Sequence, residues 1–254
     1  MSATLSVVII VKNEAARLGA TLESVRFADE IIVLDSGSTD GTVEVARRHT
    51  AKVFVDADWQ GFGVQKNRAL DHAGCDWVLS LDADERVSED LRLAIQAALA
   101  NPVADVYEMP RLSSYCGRTI RHSGWWPDHV VRLFRRGAAR FSDSLVHERL
   151  LFDGRVARLD EPLLHESYRN LDDVLDKMNR YSTAGAVQAF EGGRRSGLGK
   201  AVLRGGWAFL RTYLLRAGFL DGREGFILAV SNAETTYYRY LKLMYLSAHK
   251  TSTD

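Results

Sequence analysis

The first hundred residues alternate short apolar runs with amphipathic stretches. Residues 5–11 are a largely β-branched run, apolar except for Ser6, the pattern of a strand buried on both faces. Residues 17–27 read as a helix, and 30–34 as a second strand closed by Asp35. A turn rich in capping residues, 36–41, leads into a helix over 42–49 and a short strand over 52–55. A helix over 63–72 and a fourth strand over 77–81 follow. The helix over 88–100 places Leu91, Ala94, Ile95, Ala98 and Leu99 on one apolar face. This order predicts a parallel sheet with right-handed crossovers, whose ligands sit beyond the carboxyl ends of the strands. Those ends carry Lys12 and Glu14, then Asp35, then Asp82 and Asp84.

The pattern changes twice. From 106 to about 164 it breaks into short alternating runs, 130–135 among them, as expected of antiparallel or mixed strands with long loops. After 167 it turns helical over 171–190, 207–215 and 226–246, with a glycine-rich break at 192–199. There is no internal repeat. Residues 193–200 resemble a phosphate-binding loop, but the spacing is one residue too long and Ala201 replaces the needed hydroxyl.

Composition narrows the class. The chain has 254 residues, 46% hydrophobic and 26% charged, which suits a globular protein with a real core. Cys75 and Cys116 suggest neither a disulfide framework nor a zinc site. No signal peptide or membrane-spanning stretch is expected. The net charge is zero, which argues against a general nucleic-acid binder, yet it is unevenly spread. Residues 192–254 hold ten Lys/Arg and four Asp/Glu, a net +6, leaving −6 on the rest. A basic, aromatic C-terminal region on an acidic body suggests contact with an anionic surface, with a helical cap packed on the rest of the protein as the plainer alternative.

Asp82-Ala83-Asp84 holds the sharpest chemistry. Residues two apart on a strand share a side, and two carboxylates so placed repel unless a cation or donors lie between them. A hard divalent ion shared with substrate phosphates would do so. The alternative is a solvated turn whose Asp84 and Glu85 complement the dipole of the helix starting near Ser88. Residues 59–68 add glycines that allow close approach to a ligand, with Gln65, Lys66 and Arg68 within reach of a diphosphate.

Residues 6–14, 30–42 and 79–85 together resemble the inverting family 2 glycosyltransferases, which have a GT-A fold. Residues 127–136, Val146-His147-Glu148, Leu164-His165 and 218–226 resemble a narrower branch, the lipopolysaccharide-core β-glucosyltransferases. The resemblance implies an α/β, Rossmann-like nucleotide-sugar domain with a mixed sheet over 1–168. Residues 1–105 would be its nucleotide-sugar half, 106–168 its acceptor and metal half, and 169–254 a helical, membrane-associating appendage. It implies Mn²⁺ or Mg²⁺ on Asp84, with His165 as a further ligand and Asp82 toward the ribose and the metal's water shell. Asp35 would contact uracil or ribose, and Lys12 and Glu14 would flank the nucleotide. Glu148 would be the base, with Asp128 and Asp143 as competitors and His147 orienting it. Read from the residues themselves, Trp125 and Trp126 offer a sugar platform or else a half-buried core edge, and Arg132, Arg135 and Arg136 bind acceptor anions or else form a surface charge cluster. The implied partners are a UDP-sugar donor and a lipid-linked acceptor, the lipopolysaccharide core. The implied location is cytoplasmic, peripheral on the inner face of the bacterial inner membrane. A polyprenyl phosphate or other envelope-glycan acceptor, or an inactive sugar-nucleotide-binding module, are the alternatives. A phosphatase using an Asp-x-Asp strand tip would need that motif on the first strand, where it is absent.

Overall fold

A computed structural model describes residues 3–143 and 149–251. The chain divides into two compact units. The first comprises residues 1–111 and 128–165; the second comprises 112–127 and 166–254. The helical unit thus takes in a stretch from the middle of the chain as well as everything beyond His165.

In the first unit, β1 (Leu5–Val11) leads to α1 (Ala15–Ser24), β2 (Glu30–Asp35), α2 (Thr42–Arg47), β3 (Lys52–Val55), α3 (Phe62–Asp71) and β4 (Trp77–Asp82). These strands pair in parallel in the order β3-β2-β1-β4. Alternate residues of β1 serve opposite faces. Val7, Ile9 and Val11 pack with Leu18 and Leu22 of α1, while Val8 packs with Ala69 of α3. Helices on both sides explain why both faces of the strand are apolar.

The chain then makes an element that no apolar pattern announces. β5 (Glu85–Val87) has three residues and precedes α4 (Glu89–Ala100). Its strand character comes from antiparallel pairing with β12 (Leu163–Tyr168), in which His165 lies opposite Glu85. Between these come β6 (Val106–Tyr115), β7 (Arg118–Thr119), β8 (His129–Arg135), β9 (Ala139–Phe141), β10 (Leu150–Phe152) and β11 (Val156–Arg158). The main sheet continues β4-β8-β6-β12-β5, with β8 antiparallel to both β4 and β6. The sheet is therefore mixed, and the fold class is α/β with a helical C-terminal region.

The second unit is dominated by α5 (Leu171–Glu191), α6 (Leu198–Leu210) and α7 (Gly222–Thr251), with a π turn over Arg211–Leu215 and a 3₁₀ turn over Gly218–Asp221. Asn170 caps α5 by accepting from the Asp173 amide at 2.9 Å. Buried Asp221 holds the loop 121–123. It accepts from the Arg121 and His122 amides at 3.0 Å each and from the Ser123 hydroxyl at 3.1 Å, and it lies 3.0 Å from His122 Nδ1. A side chain at Gly225 would collide with the Gly218 carbonyl, so the glycines of 218–226 let α7 start hard against the preceding turn.

Candidate active site

The strand tips of the first unit build the site. Asn13, at φ 57°, ends β1 in the left-handed region and turns its side chain to the next loop. Its amide donates to Ser38 Oγ at 2.8 Å and its Oδ1 accepts from the Thr39 amide at 2.8 Å. The Glu14 amide donates to Thr42 Oγ1 at 2.8 Å. The β1 and β2 tips are thus stitched together. Asp35 is 1% exposed and spends its carboxylate on its own turn, accepting from the Gly37 amide at 2.9 Å, the Ser38 amide at 2.8 Å and the Ser38 hydroxyl. Asp35 therefore shapes the loop. Lys12 is exposed beside it, and Glu14 reaches Arg17 at 3.5 Å.

Asp82 and Asp84 flank a turn pinned from both sides. The Thr21 hydroxyl of α1 donates to the Ala83 carbonyl at 2.7 Å. The Asp82 amide donates to Glu85 Oε2 at 3.0 Å. Helix α4 has its own cap, since Ser88 Oγ accepts from the Leu91 amide at 3.2 Å and Glu89 and Asp90 fill the first turn. Complementing the helix dipole is therefore not the task of Asp84 and Glu85.

The two aspartates have different surroundings. Asp82 meets Lys66 Nζ at 3.0 Å and Arg132 Nη2 at 2.5 Å. Burial alone would push its carboxyl up, but Arg132, Lys66 and Arg111 hold it far below the ordinary carboxylate range. Arg132 is correspondingly held protonated. Burial works against its charge, and Asp82 and Glu85 outweigh that. Asp84 lies 3.5 Å from His165 Nε2 and 3.2 Å from Arg17 Nη1. Burial raises its carboxyl too, and the nearby Asp82 charge adds to that, but His165 and Arg17 bring it down overall.

Three contributors escaped the sequence. Glu85 is fully buried and accepts from Arg132 at 2.7 Å, with Arg111 at 3.5 Å. Arg111 goes on to Asp128 at 2.7 Å. Arg17 sits on the inner face of α1 beside Asp84. A signal existed for two of them. Arg111 is a charge between the buried Pro110 and Leu112, and Glu85 directly follows the acidic pair.

The expected site residues divide accordingly. Asp82, Asp84, His165 and Lys66 come together. Gln65 is buried but donates to the Asp56 carbonyl at 2.8 Å, and Arg68 lies 3.1 Å from Asp56 and 3.0 Å from Asp58, so both hold the 56–58 loop. Arg132, expected to bind acceptor anions, is instead buried on Asp82 and Glu85, because strand β8 turns it inward beside two carboxylates. Arg135 pairs with Asp105 at 2.6 Å and lies over the Trp77 ring. Trp125 takes the core-edge alternative, stacked on Tyr168 within the second unit, and the Arg121 guanidinium lies over the Trp126 ring. Glu148 and His147 lie outside the described residues. Of the other acids, Asp128 is engaged by Arg111 and Asp143 is exposed.

The donor set suits a loosely held divalent ion. Among the described residues no three His, Cys, Asp or Glu side chains are grouped to hold a metal. A Mg²⁺-type site needs only one or two protein ligands when water and substrate phosphates complete it. Asp84 offers such a carboxylate, and the His165 imidazole lies 3.5 Å from it. Asp82, already shared by Lys66 and Arg132, is better placed to act through water.

An α/β mixed sheet with an acidic strand tip and a helical C-terminal region is an arrangement of GT-A type. The family comparison is unambiguous. The model of glycosyl transferase family 2 matches residues 6–149, and the chain belongs to that family. The lipopolysaccharide core biosynthesis glycosyltransferase LpsC of Rhizobium meliloti is 33% identical over 94% of this chain and 91% of its own. A glycosyltransferase of Rickettsia typhi is 30% identical over 96% of this chain and 87% of its own. The fold is shared with residues 1–349 of Staphylococcus aureus TarS, at TM-score 0.50 and 17% identity, covering 96% of this chain and 92% of that one.

Proposed function

We propose that this glycosyltransferase moves a hexose, glucose by its resemblance, from a UDP-sugar to the inner core of lipopolysaccharide, with inversion at the anomeric carbon. The observation that carries the donor half is the meeting of Asp84 with His165 beside the cation-bound Asp82. The acceptor half is supported by similarity to LpsC along nearly the whole chain.

Expelling a nucleoside diphosphate puts negative charge on the leaving oxygens, and fixed positive groups lower that barrier. Lys66 and Arg17 stand at the two aspartates, each on a rigid helix. A Mn²⁺ or Mg²⁺ ion held by Asp84 and His165 would supply further positive charge at the leaving group. The stitched tips of β1 and β2, with Lys12 and Glu14 at their edge, offer the nucleoside a rigid floor whose shape Asp35 maintains. Glu148 is proposed as the base that takes the acceptor hydroxyl's proton as that oxygen attacks. A lipid-borne acceptor would place the enzyme at the inner face of the inner membrane.

UDP release across a panel of UDP-hexoses, with core oligosaccharide as acceptor and with Mn²⁺, Mg²⁺ or chelator, tests this. Turnover is expected with one UDP-hexose and a divalent ion, giving a β-linked product. Transfer only to polyprenyl phosphate would replace the acceptor assignment. An α-linked product would overturn inversion.

A further inference from the structure

Helix α6 is built inside out. Its buried positions are Ala201, Gly205 and Ala208, continued by Thr212 in the π turn. Its large apolar residues face outward: Val202 at 56%, Leu203 at 75%, Trp207 at 52% and Leu210 at 46% exposure, followed by Leu214 and Leu215 at 53% and 67%. The small face has a packing reason. A Cβ on Gly205 would stand 3.1 Å from the Tyr237 Cβ and 3.3 Å from the Ala233 carbonyl, so α6 lies hard against α7. The apolar face has no such reason, since each residue there loses by meeting water.

Charge says what covers it. Residues 192–220 contain six Lys/Arg and no Asp or Glu. Lys200, Arg204 and Arg211, spaced four and seven apart, run along one edge of the apolar stripe. No helix of the described residues is long and apolar enough to cross a membrane, and α6 has only 13 residues. A short helix with an outward apolar face, a tryptophan and a basic edge is the signature of a segment lying in the plane of an anionic bilayer surface.

We propose that the outward face of α6 and the π turn after it is a membrane-docking surface. Val202, Leu203, Trp207, Leu210, Leu214 and Leu215 enter the headgroup–acyl boundary, while Lys200, Arg204 and Arg211 meet anionic headgroups. This rests on the transferase reading only for which membrane is met; the surface is argued from the helical unit alone.

Co-sedimentation of the full chain with vesicles tests it without any acceptor or donor. Binding is expected to phosphatidylcholine vesicles containing about a third phosphatidylglycerol, falling by about 10-fold or more on pure phosphatidylcholine. Leu203→Glu with Trp207→Glu should weaken binding by about 10-fold or more without moving the thermal melt, because both side chains point outward. Lys200→Glu, Arg204→Glu and Arg211→Glu together should cost about 100-fold on anionic vesicles. The proposal falls if the wild type stays in the supernatant with both vesicles, or if the Leu203/Trp207 variant pellets like wild type. It also falls if sedimentation velocity finds a dimer that this variant dissolves while vesicles bind neither form, since the face then belongs to a second copy. Vesicle binding without sugar transfer to core oligosaccharide would overturn the acceptor assignment and leave the docking surface standing.

Discussion

The strand-tip site and helix α6 handle polarity in opposite ways. At the tip, charged groups are paired and mostly buried: Glu85, Arg132 and Lys66 are buried, and with the half-buried Asp82 they form one connected network at 2.5–3.0 Å. On α6, large apolar groups are exposed and small ones buried. Each looks misplaced by the usual rule of apolar inside and polar outside, and on the readings proposed above each marks a place where a ligand or surface completes the chemistry. Buried charges are tolerated only when paired, and exposed apolar faces only when something else covers them.

The contrast can be broken at several points. The largest effect is expected at Asp84. Asp84→Ala should abolish sugar transfer while the protein still folds, because the turn is pinned by Thr21 and Glu85 rather than by Asp84. UDP release alongside a thermal melt checks this, and substantial turnover would remove the Asp84–His165 assignment. Next, Glu148→Gln should slow turnover by about 10²-fold or more with donor binding intact, as expected on losing a general base. A normal rate, read beside donor affinity, would move the base to Asp128 or Asp143.

Glu85 tests the buried network directly. Glu85→Ala leaves Arg132 with one partner instead of two and the Asp82 amide without its acceptor. Breaking a buried pair of this kind costs about 3–5 kcal/mol, readable in urea unfolding. A loss below about 1 kcal/mol would mean that water replaces the carboxylate without difficulty. In the helical unit, Gly225→Ala forces a methyl onto the Gly218 carbonyl and should cost about 1–3 kcal/mol by overpacking. Limited proteolysis of the α7 start is the readout, and unchanged cleavage would sink it.

The smallest effect concerns pH. Burial raises the Glu30 carboxyl, but the Gly74 amide, Lys52 and the Ser6 hydroxyl more than offset this and set it below its ordinary value. A carboxylate lowered on folding stabilises the protein fully above its unfolded value, near 4.3, and loses that contribution as pH falls through the folded value. The melting-temperature gap between wild type and Glu30→Gln should therefore be constant from about pH 7 to 5 and close below about pH 4. A gap independent of pH would refute it.

Much of this was legible in the chain. The β-branched run at 5–11, the strand ending in Asp82 and the apolar face of α4 each satisfy a local periodicity that needs no distant partner. The acidic pair and His165 could be singled out as residue types suited to a metal and a diphosphate. Their meeting was implied by the family resemblance and by no pattern in the residues themselves. It depends on β5, three residues with no apolar pattern of their own, pairing with β12 from some eighty residues later. The inward turn of Arg132 was equally hidden, since an arginine on an alternating strand has the same sequence signature whether it faces water or two carboxylates.

Local order came from sequence because helix and strand periods are properties of neighbouring residues. The site was decided by tertiary structure, because each charge there is acceptable only in the presence of an opposite charge brought from another element. For α6 the sequence supplied the apolar residues and the basic edge. Only the packing of Ala201, Gly205 and Ala208 inward, where the close approach of α7 leaves no room for anything larger, turned the large side chains out.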